Sequence, residues 1–300
     1  MVSQEQIAVL RDGLRVLAPA KINLSLLVAG TRPDGFHEIE TIMAKVNFFD
    51  EILIQQGKKA GIELICNGPY WAPQGEKNLV YQACKLLLDS CRCRTNIKLT
   101  LTKNIPAGSG LGSASSDAAA TLIGVDKFLD LKSGTGRLGK FAVQLGSDVN
   151  FFLNGPLAFC TGKGEKIKEL AKKFNFLCFL ALPDVSISTK RVYENYKHNE
   201  ALFKRVKGEI KPLIEKNRFD LVSKMCVNML QTTCLNLYKG LADLKAEIER
   251  WGLAPLCVSG SGSALFHIRD ISDEQFLFDS QELINRKTGC KSVIATNNRW

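Results

Sequence analysis

The richest chemistry in the sequence lies in Pro106-Ala-Gly-Ser-Gly-Leu-Gly-Ser-Ala-Ser-Ser-Asp117. An alternating apolar stretch precedes it and an alanine-rich one follows, so it reads as a strand, a small-residue loop and a helix start. Unpaired N–H groups at a helix start, with the positive end of the helix dipole, suit an oxyanion such as phosphate. Glycine at 108, 110 and 112 lets backbone close around such a group, because no Cβ intervenes. Ser115 and Ser116 add hydroxyls, either as donors or as a ligand for a phosphate-bound Mg²⁺. Two common phosphate patterns are not met. Gly112 is followed by Ser-Ala instead of Lys-[Ser/Thr], and Ser115 stands where a dinucleotide loop needs glycine. The same residues also suit a close-packed strand–helix corner that binds nothing.

Three further segments could contribute. Leu145-Gly-Ser-Asp148-Val-Asn-Phe-Phe152 sets one carboxylate between a helix end and an apolar run. Such an acid can act as a base, or can simply cap a turn. Pro19-Ala-Lys21-Ile-Asn23 places a lysine at the start of an apolar strand, where it either meets an anion or snorkels to the edge. Val258-Ser-Gly-Ser-Gly-Ser-Ala264 is a second glycine-rich corner, equally suited to a flexible turn or a ligand cradle.

The elements that must position these groups alternate between strand and helix. Leu14–Ala18, Ile22–Val28, Glu38–Phe48, Glu51–Gln55 and Gly61–Cys66 read as strands, with Thr31-Arg-Pro-Asp-Gly35 as a turn. Leu79–Leu88 has helical spacing, and Asn96–Lys103 alternates with Ile97, Leu99 and Leu101 facing one way. A helix is expected from about Ser113 to Leu131, then an apolar turn at Val149–Leu153 and a strand at Leu157–Thr161. In the later half, Leu237, Leu241, Leu244, Ile248 and Trp251 form one helical stripe that Gly252 can cap. Leu177–Leu182, Pro255–Val258, Ala264–Ile268 and Ser292–Ala295 read as strands. The class is α+β, with a soft boundary between Thr161 and Phe174.

The 300 residues suit about two domains. With 45% hydrophobic and 23% charged residues, disordered and collagen-like chains are excluded. No apolar stretch is long enough to span a bilayer, and Met1 to Leu10 shows no basic leader, so a cytoplasmic protein is expected. Forty Lys+Arg against 30 Asp+Glu leave a formal charge of +10, which favours anionic partners without choosing among them. The ten cysteines, Cys226 among them, are scattered without a CxxC pair and read as reduced thiols. Only three histidines occur, none spaced as a pair, so no protein-borne metal site is expected.

In order and content, these segments resemble the galactokinase, homoserine kinase, mevalonate kinase and phosphomevalonate kinase superfamily. Pro19-Ala-Lys-Ile-Asn-Leu24 and Arg32-Pro-Asp-Gly-Phe-His-Glu38 are similar to its branch acting on a cytidine-diphosphate-linked methylerythritol. The loop matches at Pro106–Ala119, the acid motif at Gly146–Phe152 and the late glycine motif at Ser259–Ser263. The resemblance implies a two-domain small-molecule kinase of the homoserine/mevalonate kinase type with its active site in the interdomain cleft. Residues 1–168 would form the N-terminal α+β domain with the phosphate loop, and 169–300 the C-terminal α+β domain. The implied reaction is phosphorylation of the substrate's 2-hydroxyl in non-mevalonate isoprenoid synthesis, with ATP and Mg²⁺.

By the same resemblance, Asp148 would be the base and Lys21 its ammonium neighbour. ATP would be held by Lys103, Pro106, Ala107, Gly108, Ser109, Gly110, Leu111, Gly112, Ser113, Ser115 and Ser116. The substrate would meet Asn23, Phe36, His37, Asp148, Thr189 and Tyr193, with cytosine stacked between Phe36 and Tyr193 and its edge read by His37. No nucleic acid or membrane partner is implied, and monomer and homodimer both stay open. The sequence departs from the family in four places. Phe36 and Tyr193 exchange the usual Tyr and Phe, Ser113-Ala114 replace Gly-Gly, Ser109 replaces Ala or Gly, and Asn150 replaces proline. Two rivals compete: a superfamily relative acting on homoserine or mevalonate, and a nucleic-acid binder using the basic 190–218 stretch.

Overall fold

The computed structural model describes residues 6–171, 175–225 and 227–297. Strand β1 (Ile7–Leu10) leads into β2 (Gly13–Thr31), which turns back as β3 (His37–Gln56). Next come β4 (Ile62–Asn67), α1 (Leu79–Cys91), β5 (Ile97–Thr102) and α2 (Ser113–Phe128). The first half closes with α3 (Gly134–Leu145), α4 (Val149–Leu153), β6 (Leu157–Gly162) and β7 (Lys166–Glu169). The second opens with β8 (Leu177–Leu182), α5 (Thr189–Asn195), α6 (Glu200–Glu215), α7 (Phe219–Met225) and β9 (Val227–Asn228). It ends with α8 (Gln231–Leu237), α9 (Lys239–Arg250), β10 (Cys257–Val258), β11 (Leu265–Arg269), α10 (Glu274–Thr288) and β12 (Lys291–Thr296).

Two strands are longer than their sequence predicts. Pro19 breaks the apolar pattern of β2 because it has no N–H to donate, yet the strand passes through it with a register shift between Pro19 and Ala20. Strand β3 likewise continues past Phe49 and changes partner on the way. Ile39–Ala44 pair with β6, whereas Glu51–Gln56 pair with β5. The first sheet runs β1-β2-β3-β5-β4, with β6 also on β3, β7 on β6 and β9 on β2. The second runs β10-β11-β8-β12. The expected apolar turn at 149–153 is the short helix α4.

One apolar core packs α1, α2 and α4 against the first sheet, including Val16, Ile54, Leu99, Ala119 and Phe151. The other runs from Ile22, Leu24 and Leu26 of β2 to Phe179 and Phe266 of the second sheet. Truncating such a buried leucine or isoleucine to alanine costs about 2–5 kcal/mol, so this seam holds the two halves of the chain in register. None of the nine described cysteines forms a disulfide, and Cys226 lies outside the described residues. Much of the basic 190–218 stretch is paired, Lys190 with Glu194, Lys204 with Glu200, Lys211 with Glu215 and Lys207 with Glu40. Exposed pairs of this kind add little stability, but they dilute the positive field a nucleic acid would need. No helix among the described residues is long and apolar enough to cross a membrane.

Candidate active site

Residues two apart on a strand share a face, and Lys21 and Asn23 of β2 do so. Both are buried, which removes the snorkelling alternative for the lysine. The Lys21 ammonium donates to Asn23 Oδ1 at 2.5 Å. Asn23 Nδ2 donates to Thr41 Oγ1 at 2.8 Å, and that hydroxyl donates to the Ser25 carbonyl at 2.6 Å. Each side chain is therefore oriented by the next. Burial pulls the pKa of Lys21 down, opposed by the nearby Asp148 carboxylate and by Cys160.

The glycine loop sits directly on this lysine. The Lys21 N–H donates to the Leu111 carbonyl at 2.9 Å, joining strand to loop. Gly110 and Gly112 have φ of +77° and +72°, which L side chains rarely adopt. A Cβ on Gly110 would lie 2.0 Å from the Ser259 carbonyl oxygen, and one on Gly112 would lie 2.8 Å from the Phe152 ring. The second glycine corner clasps the first. Ser259 Oγ donates to the Gly110 carbonyl and the Ala264 N–H to the Ser109 carbonyl, both at 2.9 Å. Ser113 and Ala114 open α2 without a positive φ, so their replacement of Gly-Gly brings no backbone strain.

Asp148 occupies the cap position of α4, but its side chain accepts no capping bond. Its Oδ1 accepts only a long bond, 3.4 Å, from Ser147 Oγ. The carboxylate is thus left open toward the cavity. Its charge is felt on three sides: by Lys21, by the Cys160 thiol and by Tyr193. Burial and Asp148 together push Cys160 up to about 12, against Lys21, and they also raise Tyr193. Asn150 reaches the Glu165 carbonyl at 3.4 Å, tying α4 to the turn before β7.

All of this opens into a cavity of about 1330 Å³. Its far end is aromatic. The His37 ring lies 5.1 Å from Tyr193 at 38° and 6.0 Å from Tyr196 at 78°. Burial, then His198, lowers the His37 pKa, which favours the neutral ring. Phe36 stands on the rim, 57% exposed, with the Lys163 ammonium 4.5 Å from its ring centre. Thr189 Oγ1 and Ser261 Oγ share a 2.8 Å hydrogen bond that ties the start of α5 to the second glycine corner.

Of the sequence-predicted residues, Lys21, Asn23, Phe36, His37, Gly108, Ser109, Gly110, Gly112, Ser113, Ser115, Asp148, Thr189 and Tyr193 line this cavity. Lys103, Pro106, Ala107, Leu111 and Ser116 do not. Lys103 is buried behind the loop, where its ammonium binds Asp50, Ser113 and, at 2.7 Å, Asp117. Leu111 and Ser116 are fully buried, and Ser116 Oγ has no partner. The cavity also recruits residues given no role from sequence, notably Lys163 and Tyr196. Lys163 could have been found from the glycines on either side of it, and Tyr196 from its spacing of three after Tyr193.

The chain is similar to known small-molecule kinases. Residues 78–156 match the GHMP kinases N terminal domain. The 4-diphosphocytidyl-2-C-methyl-D-erythritol kinase of Geobacillus sp. (strain WCH70) is 36% identical over 253 residues, 84% of this chain and 87% of that protein. The Bacillus subtilis (strain 168) protein of the same name is 35% identical over 255 residues, 84% of this chain and 88% of its own length. A crystal structure of 4-(cytidine 5'-diphospho)-2C-methyl-D-erythritol kinase superposes with a TM-score of 0.73 at 27% identity, covering 94% of this chain and 98% of that one. Homoserine kinase from Cytophaga hutchinsonii shares the fold, with a TM-score of 0.74 at 20% identity over 96% of this chain and 95% of its own.

Proposed function

The chain belongs to the 4-diphosphocytidyl-2-C-methyl-D-erythritol kinases, and from that premise we propose which of its residues perform the transfer. It is an ATP-dependent kinase that phosphorylates the 2-hydroxyl of 4-diphosphocytidyl-2-C-methyl-D-erythritol in non-mevalonate isoprenoid synthesis. In this reading Asp148 takes the proton of the 2-hydroxyl while that oxygen bonds to the γ-phosphorus. The bond from the γ-phosphorus to the β–γ bridging oxygen breaks, and ADP leaves. Phosphoryl transfer is mostly positioning and charge stabilisation, to which a base adds roughly 10²–10⁴-fold. The Lys21 ammonium draws electron density from the acceptor oxygen and offsets the negative charge that develops there. The observation that carries this is the shared cavity, lined by an open carboxylate, a buried ammonium and a glycine loop at a helix start.

The ATP phosphates lie on Gly108–Gly112 and the first turn of α2, with Pro106, Ala107, Leu111 and Ser116 shaping the loop from behind. ATP enters as its Mg²⁺ complex. Among the described residues no cluster of three His, Cys, Asp or Glu side chains could hold a resident ion. Magnesium typically stays on substrate phosphates and water with one or two protein oxygens, and we assign Ser115 as such an oxygen. Cytosine stacks on Tyr193 and Phe36 with His37 at its edge, while Asn23 and Thr189 meet the methylerythritol diphosphate. The cleft lies between units that divide near residue 168, in a protein acting in the cytoplasm.

ADP release measured with the cytidine-linked methylerythritol, homoserine, mevalonate and galactose tests the assignment. Turnover confined to the first is expected. Equal or faster turnover of another alcohol would overturn the substrate reading.

A further inference from the structure

A carboxylate outside the cavity is bonded to both ends of the loop inside it. Asp50 is fully buried on β3, at the point where that strand leaves β6 and takes up β5. Its Oδ1 accepts the backbone N–H of Asn104 at 2.6 Å and of Ile105 at 2.8 Å. Its Oδ2 accepts the Ser113 hydroxyl at 2.9 Å and pairs with the Lys103 ammonium. Residues 103–105 are where the chain enters the glycine loop, and Ser113 is where it leaves to begin α2. One side chain therefore holds both ends of a loop whose glycines 108, 110 and 112 all have positive φ.

We propose that Asp50 is a positioning residue for the nucleotide: it fixes the span of the 105–113 loop so that its N–H groups are already aimed at the ATP phosphates. The inference rests on the loop being the phosphate seat. A loop so rich in glycine has many conformations to lose on binding, and tying its ends removes that loss beforehand. Stability alone is a poor reason to bury this network. Replacing buried ionic groups with packed apolar ones is often neutral or stabilising. Lys103 completes the device: burial disfavours its charge, but Asp117 and Asp50 outweigh this and keep it protonated. The Ser113 hydroxyl, found where the family has glycine, supplies the exit pin.

The test measures MgATP affinity by calorimetry, KM for each substrate and Tm in Asp50→Ala, Asp50→Asn, Ser113→Ala and Gly110→Ala. Asp50→Ala should weaken MgATP binding about tenfold while KM for the cytidine compound changes less than about twofold. Asp50→Asn keeps an oxygen toward the two N–H groups and should lose about threefold. A lower Tm with unchanged MgATP affinity, or equal losses for both substrates, would overturn the proposal. Should Asp50→Ala fail to fold, Ser113→Ala removes the hydroxyl that joins the loop exit to Asp50 and Lys103: a loss of about threefold for MgATP with KM for the cytidine compound unchanged supports the proposal, and parental MgATP affinity refutes it. Gly110→Ala alters the loop itself and should abolish MgATP binding. If it binds MgATP as the parent does, the phosphate-seat reading falls, and this inference with it.

Discussion

Lys21 gives its ammonium hydrogen bond to Asn23, 2.5 Å away, and not to Asp148, whose charge it nevertheless feels. A direct ion pair would occupy the lone pairs a base must keep free. Here the lysine lies near the carboxylate without bonding to it, and the carboxylate stays open to the cavity.

The same burial makes Lys21 a liability to the fold. A lysine whose folded pKa is lowered costs stability while protonated, and that cost fades as pH rises through the folded value. Lys21→Met should therefore melt at the parental Tm or a few degrees, roughly 2–4 °C, higher, while turnover is lost. In the parent, kcat should fall on the alkaline side at a pH below the ordinary lysine pKa, because the working form is the ammonium. A clear drop in the Tm of Lys21→Met, or a pH profile flat to the ordinary lysine range, would contradict this.

Phe36 and Tyr193 should matter to one ligand only. A stacked ring adds roughly 0.5–1.5 kcal/mol beyond its buried area, so Phe36→Ala and Tyr193→Ala should each weaken the cytidine compound about two- to tenfold. MgATP affinity should stay near parental in both. Calorimetry showing equal losses for the two ligands would remove the stacking assignment.

Asp117 should titrate above the range of an ordinary carboxylate. Burial and Asp50, opposed by Lys103, hold its pKa well above the usual carboxylate range, and its Oδ1 has no partner. A raised carboxylate pKa contributes stability that is present below the ordinary value and lost as pH rises through the folded one. Asp117→Asn should fold with a Tm equal to or above the parent's. It should also lose less stability than the parent on going from mildly acid to alkaline pH. Denaturation at a series of pH values reads this directly, and a large loss of stability at every pH would contradict it.

The loop, the acid motif and most elements were legible because their signals are local. Glycines at alternate positions, Ile97-Lys-Leu99-Thr-Leu101 and the Leu241, Leu244 and Ile248 stripe each declare themselves within a few residues, although Leu237, expected on the same helix, ends α8 before a break at Tyr238. What escaped was long-range. Pro19 looked like a strand end, but the pairing of β2 with β3 on either side of it carries the strand through with a bulge. The Lys103 match pointed to the nucleotide, yet its side chain turns inward because Asp50 and Asp117 lie there. Asp50 itself falls in the gap between two expected strands, and its partners come more than fifty residues later.

The central claim is that Asp148 removes the acceptor proton. Its most direct test is single-turnover phosphorylation by Asp148→Asn with both substrates saturating and their affinities measured separately. The account predicts near-parental affinities and Tm, with transfer slowed roughly 10²–10⁴-fold. Transfer at the parental rate would contradict it.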